Sequence, residues 1–388
     1  METPPEWPSD EDSDADDPCA LEGRGRLRAA GGRLAAPVRP DRCIIALDID
    51  AFYAQVAELR DGSLRGRPVA IQQKAICVTC NYEARAFGVH KLQRIAEAKR
   101  MCPRLVLVSG EDLTPFRAVS SAVFELIRSA FTPHVQRLGM DEVFLDVSDA
   151  VDALEAGCPL EPPSTPSLPW AGFVFAGQPH AKATEVDPEP SDAVPCPDAS
   201  ARWAPTPVTL VPVGAAPGRA EHRLRLASAL AARIRFAVAS RLGIRCCAGV
   251  GTSKLAAKFA VNLRKPASQS VLLPSGMPTF LASLRVQALP GVGHTATKRL
   301  RALAGVESVP QLLVAPRALV EEALGNKGLA ARALSLARGI DDDPVKASGP
   351  PRTISDEDSF RALRGSPAGA STRSGDRLQL EVSAAAPR

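Results

Sequence analysis

The 388-residue chain is 45% hydrophobic and carries 47 Lys and Arg against 43 Asp and Glu, a net charge of +4. That balance describes a soluble protein of two or three domains, and no apolar run approaches the roughly 18 residues of a membrane span. Acidic residues from Glu2 to Asp17 exclude a secretory signal peptide, and nine cysteines at no framework spacing point to a reducing compartment.

Residues 1–40 turn from acidic to rich in Gly, Arg and Pro and read as disordered. Regular structure begins near Arg42. The apolar run 43–49 predicts a buried strand that closes on Asp48-Ile49-Asp50. Asp50 precedes residues 51–59, which have helical spacing; an N-cap role and a metal role fit it equally. Strands are expected at 68–73, 75–79 and 105–108. Helices are expected from Asn81, near 92–101 and, strongly amphipathic, over 115–131. Two more strands flank Asp141-Glu142. The mixture predicts an α+β fold.

The stretch 157–220 holds 14 of the 35 prolines. It reads as a largely disordered insertion, with a short strand at Gly172-Phe173-Val174-Phe175. A helix is expected at 222–242, a strand at 246–250 and a helix from Ser253. From 279 to 339 the pattern is all-helical. After Asp341 the chain turns polar, with one short alternation at 378–382. Between Glu221 and Glu307 lie 85 residues without Asp or Glu and with 14 Lys and Arg. A solvated basic face explains this, and so does a polyanionic partner such as nucleic acid.

Two acidic clusters, Asp48-Ile49-Asp50 and Asp141-Glu142, sit at the ends or turns of buried strands. Carboxylates gathered there are costly unless a cation neutralises them. Such oxygen ligands suit Mg²⁺ held jointly with a substrate's phosphates, and two ions can clamp both oxygens of a phosphoryl transfer.

Thr79, Tyr82 and Arg85 surround a helix start capped by Asn81, which makes a cradle for a triphosphate. An ordinary capped helix with a surface ion pair fits the same residues. Leu289-Pro290-Gly291-Val292-Gly293 lies between two helices and is followed by Lys298 and Arg299. Paired glycines there permit a helix–hairpin–helix whose amides bind one phosphate. Lys254 and Lys258 share one helix face, as DNA contacts or as solvated charge. Cys77 and Cys80 have C-x-x-C spacing without a second pair, which argues against zinc.

These motifs, taken in order, resemble a Y-family translesion DNA polymerase. The residues that carry the likeness are Asp48-Ile49-Asp50-Ala51-Phe52-Tyr53, Cys80-Asn81-Tyr82-Glu83-Ala84-Arg85, Gly139-Met140-Asp141-Glu142, Lys254-Leu255-Ala256-Ala257-Lys258 and Pro290-Gly291-Val292-Gly293. A narrower subtype likeness rests on Gln72-Gln73-Lys74, Ser348-Gly349-Pro350-Pro351 and Glu357-Asp358-Ser359-Phe360. The resemblance implies a right-hand fold. The palm would span 41–51 and 114–274, small inserted fingers 52–113, and a helical thumb 275–341, with 342–388 a linker and irregular tail.

It also implies roles. Asp48, Asp141, Glu142 and the Ile49 carbonyl would hold two Mg²⁺ or Mn²⁺ ions, with Asp48, Asp141 and Glu142 as the catalytic set. Tyr53 would exclude a ribose 2′-hydroxyl. Thr79, Tyr82, Arg85 and Lys265 would contact the triphosphate, and Gln73 would lie near the templating base. Lys254, Lys258, Gly291, Gly293, Lys298 and Arg299 would contact DNA. The implied activity is template-directed, low-fidelity DNA synthesis in a nuclear repair setting, with primer–template DNA and dNTP as partners and no membrane.

The family likeness stops near Phe360, where a β-rich little finger would follow; the expectation is that this domain is missing. Replication and ubiquitin-linked partners, which dock beyond it, are then in doubt. A truncated, non-catalytic DNA-binding or regulatory form is the rival reading. A nucleotidyl cyclase shares the paired carboxylates but has no need of the hairpin or the basic region.

Overall fold

A computed structural model describes residues 41–157, 170–176 and 218–347. The expected disorder at 1–40, most of the Pro-rich stretch and the chain beyond 347 lie outside the described residues.

In chain order the elements are β1 (Ile44–Ile49), α1 (Phe52–Arg60), β2 (Val69–Gln73), β3 (Ile76–Cys80), α2 (Tyr82–Arg85), β4 (Gln93–Arg94), α3 (Ile95–Met101), β5 (Val106–Ser109), α4 (Thr114–Ala130), β6 (Val135–Leu138) and β7 (Glu142–Asp146). Then follow α5 (Ser148–Gly157), β8 (Phe173–Phe175), α6 (Arg219–Leu242), β9 (Cys246–Gly251), α7 (Lys254–Asn262), β10 (Gln269–Leu272), α8 (Met277–Ala282), α9 (His294–Ala304), α10 (Val309–Val314), α11 (Arg317–Leu324) and α12 (Lys327–Ala337).

Six strands form one sheet in the order β6-β7-β1-β9-β10-β8. β1 lies inside it, antiparallel to β7 and β9, and is apolar on both faces because helices cover both. Side chains alternate across it. Ile45, Leu47 and Ile49 join Phe116, Val123 and Ile127 of α4 and Leu224, Ile234 and Val238 of α6 in one core. Ile44 and Ala46 face the other way, onto Ala257 and Val261 of α7. By the same alternation Asp48 belongs to the α7 face.

A four-stranded sheet, β4-β3-β2-β5, is inserted between α1 and α4. The β2–β3 hairpin turns through Lys74 at φ 49°, and its register shifts between Ile71 and Gln72. α1 serves both sheets. Its Phe52 and Val56 pack in the six-stranded core, and Ala57 packs with Leu64, Val69 and Ile71. Helices α7 to α12 share a third core that includes Phe259, Phe280, Leu300, Leu312 and Leu336. The chain then returns to α7, where Asp341 Oδ2 accepts from the Leu255 amide at 2.8 Å. Arg42 fastens this return by donating to the carbonyls of Asp341 and Asp343 at 2.7 and 2.9 Å.

The observed class is α+β, as expected. Asn81 caps α2 by accepting from the Ala84 amide at 3.0 Å, and Ser253 caps α7 by accepting from the Ala256 amide at 3.1 Å. Asp50 does not cap α1. The N-cap position belongs to Ala51, at φ 44°, and has no side-chain cap. α5 and β10 were not anticipated. β10 carries Gln269 and Ser270 among its four residues, and every one is buried, so polarity hid the strand.

α7 lies directly on β9 because Gly249 has no side chain. A Cβ there would stand 2.1 Å from the Ala257 carbonyl oxygen and 2.2 Å from the Val261 nitrogen, both backbone. Gly249→Ala is therefore expected to cost about 3 kcal/mol of stability. Urea unfolding checks this; a loss within about 0.5 kcal/mol, the range of an ordinary surface change, would contradict the packing described.

Candidate active site

The site is built where β1 and β7 run out together. Their register sets Asp48 opposite Glu142, so two carboxylates share one face at the end of the sheet. Asp141 precedes Glu142 in the β6–β7 turn, and its carbonyl accepts from the Ile49 amide at 2.9 Å. Gly139 makes that turn at φ 66°. Ser120 of α4 braces it by donating to the Met140 carbonyl at 2.6 Å, and Arg137 donates to Ser120 Oγ at 2.6 Å. Asp141 borders a small internal cavity with Leu47, Ile49, Val123 and Val143.

Two lysines face this charge. Lys265 Nζ lies 2.7 Å from Asp48 Oδ2, and Lys258 pairs with Glu142. The electrostatics follow from burial. Desolvation pushes the Asp141 carboxyl up to about 6, and the neighbouring Glu142 charge adds to it. Glu142 is also raised, by burial first and despite Lys258, with Asp48 opposing its ionisation. Burial pulls Lys265 down, but Asp48 and Glu142 outweigh it, and the net shift is upward. Lys265 therefore stays cationic at neutral pH.

Among the described residues no three His, Cys, Asp or Glu side chains form a ready metal-binding group. The donor chemistry nevertheless fits a hard divalent cation. Three carboxylates and the adjacent backbone offer only oxygen, and the two nearest ammonium groups already occupy the positions where positive charge is needed.

The four-stranded sheet brings α2 to the same place. The Tyr82 hydroxyl is 3.4 Å from Asp50 Oδ1, and the Arg85 guanidinium lies 4.6 Å over the Tyr82 ring. Burial, then the Asp50 charge, raises the Tyr82 phenol, which stays protonated and able to donate. Thr79 is partly buried near the end of β3. Gln73 ends β2, and its side-chain amide donates to the Gly110 carbonyl at 2.8 Å. Tyr53 stands on α1 with its ring against Phe52 and Phe116, at centroid separations of 5.3 and 4.7 Å. Burial, then Asp141, raises its phenol.

The remaining expected residues divide. Lys254 shares the α7 face with Lys258, but its ammonium lies on Gln136 Oε1 at 3.2 Å and over the Phe144 ring at 5.5 Å. Gly291, at φ 86°, and Gly293 form the turn before α9, far from the carboxylates in sequence, and Val292 between them packs in the core of helices α7 to α12. Lys298 is exposed on α9. Arg299 donates to the Glu322 carbonyl at 2.8 Å and so closes the end of α11. Sequence reasoning missed the Lys258–Glu142 pair, the Ser120 brace and the anchoring of Asp50. Partners separated by 20 to more than 200 positions leave no local signal.

Asp141 binds its proton more tightly in the folded than in the unfolded chain. Its contribution to stability is complete below the ordinary value of 3.8 and is lost as pH rises through about 6. Cation-free protein should therefore gain stability from this group between about pH 7.5 and about pH 5, and Asp141→Asn should remove that part of the gain. Urea midpoints in chelator read this; a mutant whose pH dependence parallels the wild type would contradict it.

Comparison with known proteins places the chain. The family model described as impB/mucB/samB matches residues 47–262. The chain is 37% identical over 325 residues to DNA polymerase iota of Mus musculus, covering 84% of this chain and 40% of that protein. It is 36% identical over 329 residues to DNA polymerase iota of Homo sapiens, covering 84% and 39%. It is 29% identical to DNA polymerase IV of Xanthomonas axonopodis pv. citri, covering 82% and 69%. The chain thus spans about two fifths of the length of the iota relatives. A solved structure titled "Dbh Ternary Complex (substrates partially disordered)" matches with a TM-score of 0.55 at 21% identity, covering 79% of this chain and 69% of that one. The fold is that of a right-hand polymerase, with palm, small inserted fingers and helical thumb. The chain belongs to the impB/mucB/samB family, the Y family that its motifs resemble.

Proposed function

We propose that this chain carries the catalytic core of a template-directed, low-fidelity DNA polymerase that acts in translesion synthesis and DNA repair in the nucleus. The observation that carries the reading is the cross-strand pair Asp48 and Glu142 beside Asp141, with Lys265 and Tyr82 converging on the same strand end. No helix among the described residues is long and apolar enough to cross a membrane. Residues 41–51 and 114–274 serve as palm, 52–113 as fingers and 275–341 as thumb, with α1, the first element of the fingers, also packed into the palm core through Phe52 and Val56.

The substrates in this reading are a primer–template DNA and a dNTP, and the product is a DNA extended by one nucleotide with release of pyrophosphate. Two divalent ions, Mg²⁺ or Mn²⁺, supply Lewis acidity at the attacking and leaving oxygens when bound. Asp48, Asp141, Glu142 and the Ile49 carbonyl would hold them. The rest is positioning. Lys265, kept cationic, neutralises phosphate oxygens. Tyr82 donates from its phenol, and Arg85 and Thr79 complete the cradle. Tyr53, wedged against Phe52 and Phe116, presents a rigid ring where a 2′-hydroxyl would clash. Gln73 borders the templating base. The Gly291–Gly293 turn and Lys298 bind backbone phosphate without reading bases, and Lys254, Lys258 and Arg299 serve as further cationic DNA contacts in this reading.

Primer extension at low salt tests the reading. Wild-type protein should add nucleotides in template order with Mg²⁺ or Mn²⁺. Asp141→Ala with Glu142→Ala should lower incorporation by about 10³-fold or more while DNA binding persists. Wild-type protein that binds primer–template and incorporates nothing would overturn the catalytic reading in favour of a DNA-binding role.

A further inference from the structure

Asp50 is a buried acidic residue beside the site that neither the proposed metal set nor a helix cap accounts for. It is 3% exposed. Its Oδ2 accepts from the Ala267 amide at 2.8 Å. Its Oδ1 accepts from Cys247 Sγ at 3.1 Å and from the Tyr82 hydroxyl at 3.4 Å. Its backbone is fixed as well. The Asp50 amide donates to the Arg245 carbonyl at 3.1 Å, and the Gln55 side chain donates to the carbonyls of Asp50 and Arg245. The carboxylate therefore has one orientation.

What it holds is informative. Ala267 sits at φ 50°, a left-handed conformation that alanine seldom adopts. Such a residue persists where its surroundings over-determine it, and here the carboxylate receives its amide. Two residues earlier, Lys265 meets Asp48 at 2.7 Å. Asp48, on β1, and Asp50, just past its end, thus hold one loop at two points. The other partner, Tyr82, arrives from the inserted sheet, so one buried side chain links three elements that are remote in sequence.

We propose that Asp50 is a positioning residue that locks Tyr82 and the Lys265 loop into a single frame for the phosphates of the incoming nucleotide. This rests on the polymerase reading above. Lys265 and Tyr82 approach phosphate from different elements, and their separation must be set before substrate arrives. A neutral amide at position 50 keeps the volume but cannot accept at both oxygens. Asp50→Asn therefore loosens the frame without removing a metal ligand.

The test combines kinetics with hydrogen exchange on the whole chain. D50N should raise KM for dNTP about tenfold while kcat falls less than about threefold, because a loosened cradle costs substrate binding first. The Mg²⁺ dependence should keep its midpoint. Combining D50N with Y82F should cost less than the product of the two single effects, since both break one contact. Amide exchange over residues 263–268 should quicken in D50N, and this arm needs no turnover. Should D50N not fold, D50S, which retains one acceptor, takes its place in both arms. Unchanged KM with unchanged exchange would overturn the proposal, as would a shifted Mg²⁺ midpoint, which would make Asp50 a metal ligand. Wild-type protein without incorporation would instead defeat the polymerase reading. The exchange arm, with calorimetric binding of dATP, would then decide the role of Asp50 alone.

Discussion

The structure depends on one electrostatic constraint: carboxylates crowded at the end of a buried sheet. Antiparallel pairing of β1 and β7 forces Asp48 and Glu142 side by side, and chain continuity adds Asp141. Removing such charge from water is expensive, and mutual repulsion makes it worse. The protein offsets this locally with Lys258 and Lys265. Both lysines come from α7 or the loop after it, so the helix and the sheet are electrostatically as well as sterically matched.

That constraint explains much of the surrounding architecture. α7 must approach the sheet closely to deliver Lys258, and the missing side chain of Gly249 allows it. The helix start is held twice, by Ser253 and by Asp341 reaching back after the last helix. The opposite face of the sheet is apolar and packed by α4 and α6. In the proposed reading, function falls mainly at strand ends and the loops beside them, where the scaffold is rigid and solvent is near.

Much of this was legible in the sequence because it is local. The apolar run of β1, the cap Asn81, the helix start at Ser253 and the glycine pair before α9 each carry their cause within a few residues. Asp48, Asp141 and Glu142 stood out as charges among buried neighbours. Asp50 misled because a carboxylate before a helix ordinarily caps it, whereas here its partners are Ala267, Cys247 and Tyr82. β10 was hidden by Gln269, whose side chain is buried because it donates to the carbonyls of Ala171 and Ser228. Long-range pairing of polar groups leaves no trace in periodicity.

In the proposed reading the carboxylate cluster receives divalent cations, and Lys258 and Lys265 hold its charge until then. Mn²⁺ binding followed by electron paramagnetic resonance, in the presence of dNTP and without DNA, tests it most directly. The account predicts that bound Mn²⁺ in the wild type falls sharply in Asp48→Asn and in Glu142→Gln, whereas Lys258→Met, which frees Glu142, tightens it. Mn²⁺ binding that is indifferent to all three substitutions would contradict the account.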